Sequence, residues 1–168
     1  DGGTMAKTSE HKTNVMRILE QRKISYTAHS YAHEEGVPVD GVTVAERMGQ
    51  DPGQVFKTLV ARGASKAYYV FDVPVAKSLD LKKAARAVGE KSIEMIPVRA
   101  ITALTGYVRG GCSPIGMKKQ FPTVLDATAL AYETIVVSGG KIGTQVELSP
   151  RDLLHLVRGT SADITTDA

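Results

Sequence analysis

A lysine inside an apolar segment is the first residue of this sequence that could do chemistry. Lys57 and Thr58 are the only polar residues in VFKTLVA, residues 55–61, a segment otherwise typical of a strand. Because side chains alternate along a strand, Lys57 shares a face with Val55 and Leu59. A lysine there either buries its alkyl chain and places its ammonium group in solvent at the margin of the sheet, or projects its ammonium group into a binding site. The strand alone leaves both interpretations open.

A second candidate is the glycine-rich segment GGCSP at residues 110–114. Gly110 and Gly111 would let the backbone approach a ligand closely, and free N–H groups in such a loop can hold an oxyanion or a carbonyl. Ser113 adds a hydroxyl group. Taken alone, this segment is also typical of an ordinary turn.

Several other polar features are not predicted to carry catalysis. The sequence SGGK at residues 138–141 lacks the spacing of a phosphate-binding loop and is interpreted as a hairpin turn that lines a cleft. Nothing in the sequence places a histidine beside Cys112, so we predict an inert thiol. His29 and His33 have helical ligand spacing but no third ligand, so no metal site is predicted.

Length and composition predict a single domain spanning residues 5–168. Residues 1–4, ahead of Met5, are interpreted as an expression scar. The 42% hydrophobic content supports a buried core, and the formal net charge of +3 permits contact with a polyanion without indicating one. A lone cysteine and the lack of a long apolar run predict a cytoplasmic protein with no membrane partner.

Hydrophobic periodicity, caps and turn residues predict the elements that position these residues. Helices are predicted over residues 12–21, 43–48, 81–88, 97–106 and 151–157, and strands over 24–31, 55–61, 66–74, 123–125, 134–137 and 145–148. Thr43 is the predicted cap of the second helix, and the chain beyond Ser161 is expected to fray. Hairpins alternating with helices predict a mixed α/β fold, with a mixed, partly barrel-like sheet flanked by helices.

Four segments, in order along the chain, together resemble the YbaK/EbsC family. They are FKTL at residues 56–59, LDLKKAARAVG at 79–89, TGYVRGGCSPIG at 105–116 and ETIVVSGGKIG at 133–143. That family comprises trans-editing deacylases related to the editing domain inserted in bacterial prolyl-tRNA synthetases. The resemblance runs from about Lys12 to Ile164, and it implies an editing-domain fold of the synthetase-associated type.

The resemblance also implies roles for particular residues. Lys57 matches the lysine on which the family's activity depends. Gly110 and Pro114 match a G-x-x-x-P loop, and Gly111 lies within it. The remaining positions that fall where the family lines its substrate pocket are Tyr31, Thr58, Ser113 and Ser138.

By this resemblance the chain is expected to hydrolyse mischarged Cys-tRNA(Pro), with no cofactor and no metal. The thiol of the substrate would attack its own carbonyl, and the protein would supply positioning and oxyanion stabilisation. The expected partners are aminoacyl-tRNA and prolyl-tRNA synthetase. Two alternatives stay open: a deacylase of Ala-tRNA(Pro) or of broad specificity, and a non-catalytic module that binds tRNA or a synthetase.

Overall fold

A computed structural model of the protein describes residues 12–166, so the predicted expression scar lies outside the described residues. The helices are α1 (Asn14–Gln21), α2 (Gly41–Met48), α3 (Leu81–Val88), α4 (Ile101–Thr105) and α5 (Pro150–Val157), with 3-10 helices at Val98–Ala100 and Ala127–Ala131. The strands are β1 (Thr27–Ser30), β2 (Phe56–Gly63), β3 (Tyr68–Pro74), β4 (Ser78–Leu79), β5 (Ile93–Met95), β6 (Thr123–Asp126), β7 (Ile135–Ser138), β8 (Thr144–Leu148), β9 (Thr160–Ala162) and β10 (Thr165–Thr166). The predicted mixed α/β fold is confirmed.

The strands form one five-stranded, one three-stranded and one two-stranded sheet. The five-stranded sheet has the order β5-β2-β3-β6-β9, with β3, β6 and β9 parallel and β2 antiparallel to both of its neighbours. The three-stranded sheet, β1-β8-β7, is antiparallel, and β10 pairs with β4. A parallel bridge between Val55 and Val136 joins the two larger sheets. No helix within residues 12–166 has the length and apolar composition needed to cross a lipid bilayer.

The first half of β2 has a free edge. β3 pairs with residues 56–62 on one side, whereas β5 on the other side reaches only residues 61–63. The bridge at Val55 brings β7 close just before this stretch. Residues 57–59 therefore face an opening between the two larger sheets, and this short free edge positions the candidate site.

Packed apolar side chains hold the three-stranded sheet against the beginning of β2. Leu19 of α1, Leu153 of α5 and Ile135 of β7 are fully buried in one cluster with Phe56 of β2. Burial of such side chains stabilises a fold by about 1.5–3 kcal/mol each. Because both sheets contribute to this core, the walls of the opening are fixed by it.

Helix α2 begins earlier than predicted, and its predicted cap was wrong. The carboxylate of Asp40 accepts hydrogen bonds from the Thr43 amide and from the Thr43 hydroxyl, both at 3.2 Å. Thr43 is consequently a residue of the first turn, which starts at Gly41. Either residue type is a good N-cap, so local sequence did not separate the two. The correction places the carboxylate of Asp40 at the opening beside β2.

The prediction that the chain frays beyond Ser161 was wrong. Strand β9 adds to the edge of the five-stranded sheet, and the fully buried Ile164 accepts a hydrogen bond from the Asp80 amide at 2.8 Å. The ammonium of Lys83 donates to the carbonyl of Thr165 at 2.9 Å. These contacts anchor the segment against α3 and β4.

Candidate active site

A cavity of about 690 Å³ lies along the free edge of β2. Its walls come from the segment before α2, the apolar face beside α4, the glycine-rich loop and the β7–β8 hairpin. The lining includes Tyr31, Pro38, Asp40, Lys57, Thr58, Arg109, Gly110, Cys112, Ser138 and Gln145, together with apolar residues such as Val55, Leu59, Val75 and Ile96. Five of the predicted site residues, Tyr31, Lys57, Thr58, Gly110 and Ser138, thus share one cavity.

The ammonium-bearing side chain of Lys57 is half-buried in this cavity, on the same face of β2 as Val55 and Leu59. Burial lowers the pKa of Lys57, because it disfavours the charged form, and the negative charge of Asp40 partly opposes this effect. No described carboxylate forms an ion pair with Lys57. A partly desolvated ammonium attracts an anion more strongly than an exposed one does. Lys57 is therefore poised to bind a phosphate or to polarise a carbonyl.

The glycine-rich loop is clamped between two other segments, and only glycine fits there. Gly110 has φ +84°, and a Cβ atom on it would lie 2.5 Å from the Cβ of Pro38. A Cβ atom on Gly111 would lie 2.8 Å from the Cα of Lys141. The hydroxyl of Ser138 donates to the carbonyl of Gly111 at 2.9 Å. The loop and the β7–β8 hairpin are thus held in contact at the cavity wall.

Replacing Gly111 with alanine is expected to separate this loop from the hairpin, because the new Cβ would meet backbone atoms. We expect the free energy of unfolding to fall by about 1–3 kcal/mol and deacylation to slow at least about tenfold. Urea denaturation and turnover of aminoacyl-tRNA measure the two effects. Gly89→Ala is the matched control. It also puts a Cβ on a conformationally demanding glycine, since Gly89 has φ +74°, but the added Cβ has no neighbour within 4 Å and lies outside the cavity. Equal turnover by the two variants would contradict the assignment of the loop.

The other predicted residues of the loop lie behind the cavity wall. Ser113 is fully buried, and its hydroxyl accepts a hydrogen bond from the Ile115 amide at 3.3 Å. Pro114 is also buried. The Gly111 amide donates to the carbonyl of Val108 at 3.0 Å, so this amide is engaged within the loop. The structure therefore gives Ser113 and Pro114 positions that shape the loop.

Two amides of the loop that could bind an oxyanion are those of Gly110 and Cys112. Both residues line the cavity, and no acceptor for either amide occurs within residues 12–166. The Cys112 thiol itself is poorly suited to nucleophilic attack, because burial, followed by the charge of Asp72, raises its pKa to about 12. The described part of the chain contains no group of three or more His, Cys, Asp or Glu side chains that could hold a metal ion.

The sequence analysis missed Asp72, a carboxyl group beneath the cavity wall. Asp72 is fully buried in β3, and its Oδ1 accepts a hydrogen bond from the Thr58 hydroxyl at 2.6 Å. Burial raises the pKa of Asp72 to about 7, although the bond from Thr58 acts in the opposite direction. The signal was present in the sequence, since Asp72 is the one charged residue of the apolar run YYVFDVPV. A buried carboxyl group in such a run is a recognised mark of function.

Family comparison decides what kind of site this is. The sequence profile of the aminoacyl-tRNA editing domain matches residues 39–156, which include β2, the glycine-rich loop and the β7–β8 hairpin. The chain belongs to this family. Editing of an aminoacyl-tRNA is hydrolysis of its ester bond, so this member is an aminoacyl-tRNA deacylase, and the family expected from the sequence is confirmed.

Individual relatives agree with this assignment over nearly the whole chain. A protein of Enterococcus faecalis, provisionally named Cys-tRNA(Pro)/Cys-tRNA(Cys) deacylase EbsC, is 47% identical over 160 residues, covering 95% of this chain and 97% of the relative. A solved structure described as a candidate trans-editing enzyme for prolyl-tRNA synthetase superposes with a TM-score of 0.75 at 27% identity, covering 92% of this chain and 98% of that one. A hypothetical protein with a TM-score of 0.81 at 21% identity, covering 92% and 100%, shows the same fold.

Proposed function

We propose that this protein hydrolyses Cys-tRNA(Pro), a proline tRNA that carries cysteine. The observation that carries the proposal is that the partly buried Lys57 lines the same cavity as Gly110 and Cys112 of the glycine-rich loop. The name of the Enterococcus relative and the description of the trans-editing structure support cysteine and proline tRNA as the two parts of the substrate.

In this proposal the protein supplies binding and electrostatics. The Lys57 ammonium binds the phosphate of the terminal nucleotide or polarises the ester. The amides of Gly110 and Cys112 stabilise the negative charge that develops on the carbonyl oxygen, which is worth about 3–4 kcal/mol for a well-placed donor. Tyr31 and Ser138 complete the pocket. An ester is already activated, so no catalytic triad is required.

The nucleophile in this proposal is the thiol of the substrate. Its sulfur forms a bond to the carbonyl carbon, the ester C–O bond breaks, and the thiol proton moves to the 3′ oxygen of the departing tRNA. Water then hydrolyses the thiolactone to cysteine. The high pKa of Cys112 supports this route over attack by the protein's own thiol.

Turnover of three esters on the same tRNA tests the function and the mechanism together. We expect Cys-tRNA(Pro) to be hydrolysed at least about 10-fold faster than Ser-tRNA(Pro) or Ala-tRNA(Pro), because only cysteine carries a thiol. Cys112→Ala is expected to keep the wild-type rate within about threefold. Equal rates on all three esters would favour the broad-specificity alternative, and loss of activity in Cys112→Ala would refute the substrate-thiol route.

Selection of tRNA(Pro) is proposed to depend on prolyl-tRNA synthetase, a partner supported by the description of the trans-editing structure. The experiment compares Cys-tRNA(Pro) with Cys-tRNA(Cys), each with and without the synthetase. Preference for Cys-tRNA(Pro) should increase when the synthetase is present. Tight tRNA binding without turnover under either condition would favour the non-catalytic alternative.

A further inference from the structure

The two oxygens of the buried Asp72 carboxyl group differ in their hydrogen bonding. Its Oδ1 is occupied by the Thr58 hydroxyl, but the fully buried Oδ2 has no hydrogen-bond partner within residues 12–166. Burial of a polar atom without a partner costs about 1–3 kcal/mol, so such an atom calls for a functional explanation. Asp72 also interacts electrostatically with Cys112 in the cavity wall. The carboxyl group therefore lies directly behind the substrate cavity, with Thr58 between them.

Thr58 consequently faces the cavity as a hydrogen-bond acceptor. A hydroxyl group can donate one hydrogen bond, and the Thr58 hydroxyl donates that bond to Asp72. Only the lone pairs of the Thr58 hydroxyl are therefore available to a ligand. The backbone carbonyl of Thr58 points to the free edge of β2. Val60, two residues further along, accepts from the Ile96 amide on this edge, and strand residues two apart point their backbone groups alike, so the Thr58 amide points there as well. Two acceptors thus adjoin on the free edge of β2.

Other polar groups of the cavity are donors or are already engaged. The Lys57 ammonium and the amides of Gly110 and Cys112 are donors. The Asp40 carboxylate caps α2 and interacts electrostatically with Lys57, the Ser138 hydroxyl is bonded to Gly111 and Gly140, and the Gln145 side chain pairs with Gln50. An aminoacyl ester has the complementary pattern, since its carbonyl and the terminal phosphate are acceptors whereas its α-ammonium group is a charged donor. The donors account for the first two groups and leave the α-ammonium for the acceptors of Thr58.

We infer that Thr58, oriented by Asp72, is the subsite for the α-ammonium group of the aminoacyl ester. The inference rests on the proposed function and extends it by naming what recognises the free amino group. Thr58 is then a substrate-binding residue, and Asp72 is a positioning residue that acts through it. The negative charge of ionised Asp72, one hydrogen bond away, adds to the attraction for the cation.

The test compares Cys-tRNA(Pro) with 3-mercaptopropionyl-tRNA(Pro), which keeps the thiol and lacks only the amino group. Each rate is divided by the rate of spontaneous hydrolysis without protein, because the amino group also changes the reactivity of the ester. For the wild-type protein we expect this corrected rate to be at least about 10-fold higher for Cys-tRNA(Pro). The ratio of the two corrected rates is the amino preference.

Variants of the two residues should change the amino preference selectively. Thr58→Val replaces the hydroxyl with a methyl group of similar shape and should reduce the preference to about twofold or less, whereas Thr58→Ser, which keeps the hydroxyl, should retain it. Asp72→Val removes the acceptor of the hydrogen bond from the Thr58 hydroxyl and should also reduce the amino preference. Asp72→Asn keeps an oxygen that can accept this hydrogen bond and should retain part of the amino preference. A merely structural role for Asp72 would lower both rates and leave the preference unchanged.

The outcomes separate this inference from the proposed function. If the wild-type protein hydrolyses neither ester above background, both are refuted. If it hydrolyses both esters with equal corrected rates, or if Thr58→Val keeps the full amino preference, the inference alone is refuted. If Thr58→Val does not fold, Asp72→Val supplies the test, since a full amino preference in that variant would refute the role of Asp72 in orienting Thr58.

Discussion

Replacement of Lys57 with alanine should reduce kcat/KM for Cys-tRNA(Pro) at least about 100-fold, because the variant loses the half-buried cation that we propose binds or polarises the substrate. Steady-state kinetics on the purified protein measures this loss. Lys91→Ala, which removes an exposed lysine outside the cavity, is the matched control and should keep the wild-type rate.

A second variant excludes loss of folding as the cause. Lys57→Met keeps the alkyl stem and removes the charge, which burial disfavours in the folded protein. Its free energy of unfolding should equal or exceed that of the wild-type protein, while its activity falls as far as that of Lys57→Ala. Retention of more than a tenth of the wild-type rate in both variants would remove Lys57 from the mechanism.

The other large effect concerns stability, and it comes from Asp72. Its pKa is about 7 in the folded protein against a usual value of 3.8, so the folded chain holds a proton that the unfolded chain releases between these values. The contribution of Asp72 to the free energy of unfolding should therefore be highest below pH 4, fall as the pH rises towards 7, and level off above it. Carboxyl groups with a lowered pKa, such as Glu147, act in the opposite direction at low pH. The contribution of this one group is about 4 kcal/mol by linkage.

Asp72→Asn should abolish most of this pH dependence, because the amide does not ionise and its oxygen can still accept the bond from Thr58. Urea denaturation at pH 5 and at pH 8 measures the effect: relative to the wild-type protein, the variant should gain stability between the two values. Glu94→Gln, at an exposed carboxyl group of β5, is the control and should parallel the wild-type protein. Parallel curves for Asp72→Asn would show that Asp72 is ionised throughout this range.

Local signals predicted the order and type of most elements. The helix α3 lies between an Asp80 cap and a left-handed Gly89, and α5 begins with Ser149 and Pro150, as their residue types indicate. These features depend on contacts within a few residues. The strand β5 was missed, because its three residues carry no alternation long enough to recognise and it pairs with β2 across 30 residues of chain.

The candidate site was predicted only in part. The sequence shows which residues lie on the same face of a strand, but it does not show which other segments pack against that face. The face of Lys57 followed from strand alternation. The cavity itself depends on the bridge from Val55 to Val136 and on the packing of Gly110 against Pro38, both of which are tertiary contacts. The role of Asp72 also required the register of β3 against β2, which pairs it with Thr58.

The anchored segment after α5 has a consequence for folding during synthesis. Strand β6 can pair with β9 only after β9 has left the ribosome. The Asp80 amide can donate to the carbonyl of Ile164 only after Ile164 has emerged as well. A nascent chain that has emerged through α5 therefore still exposes the edge of a parallel pair, a surface prone to association with other chains. We expect chaperones that bind nascent chains to contact this protein until β9 has emerged and paired with β6.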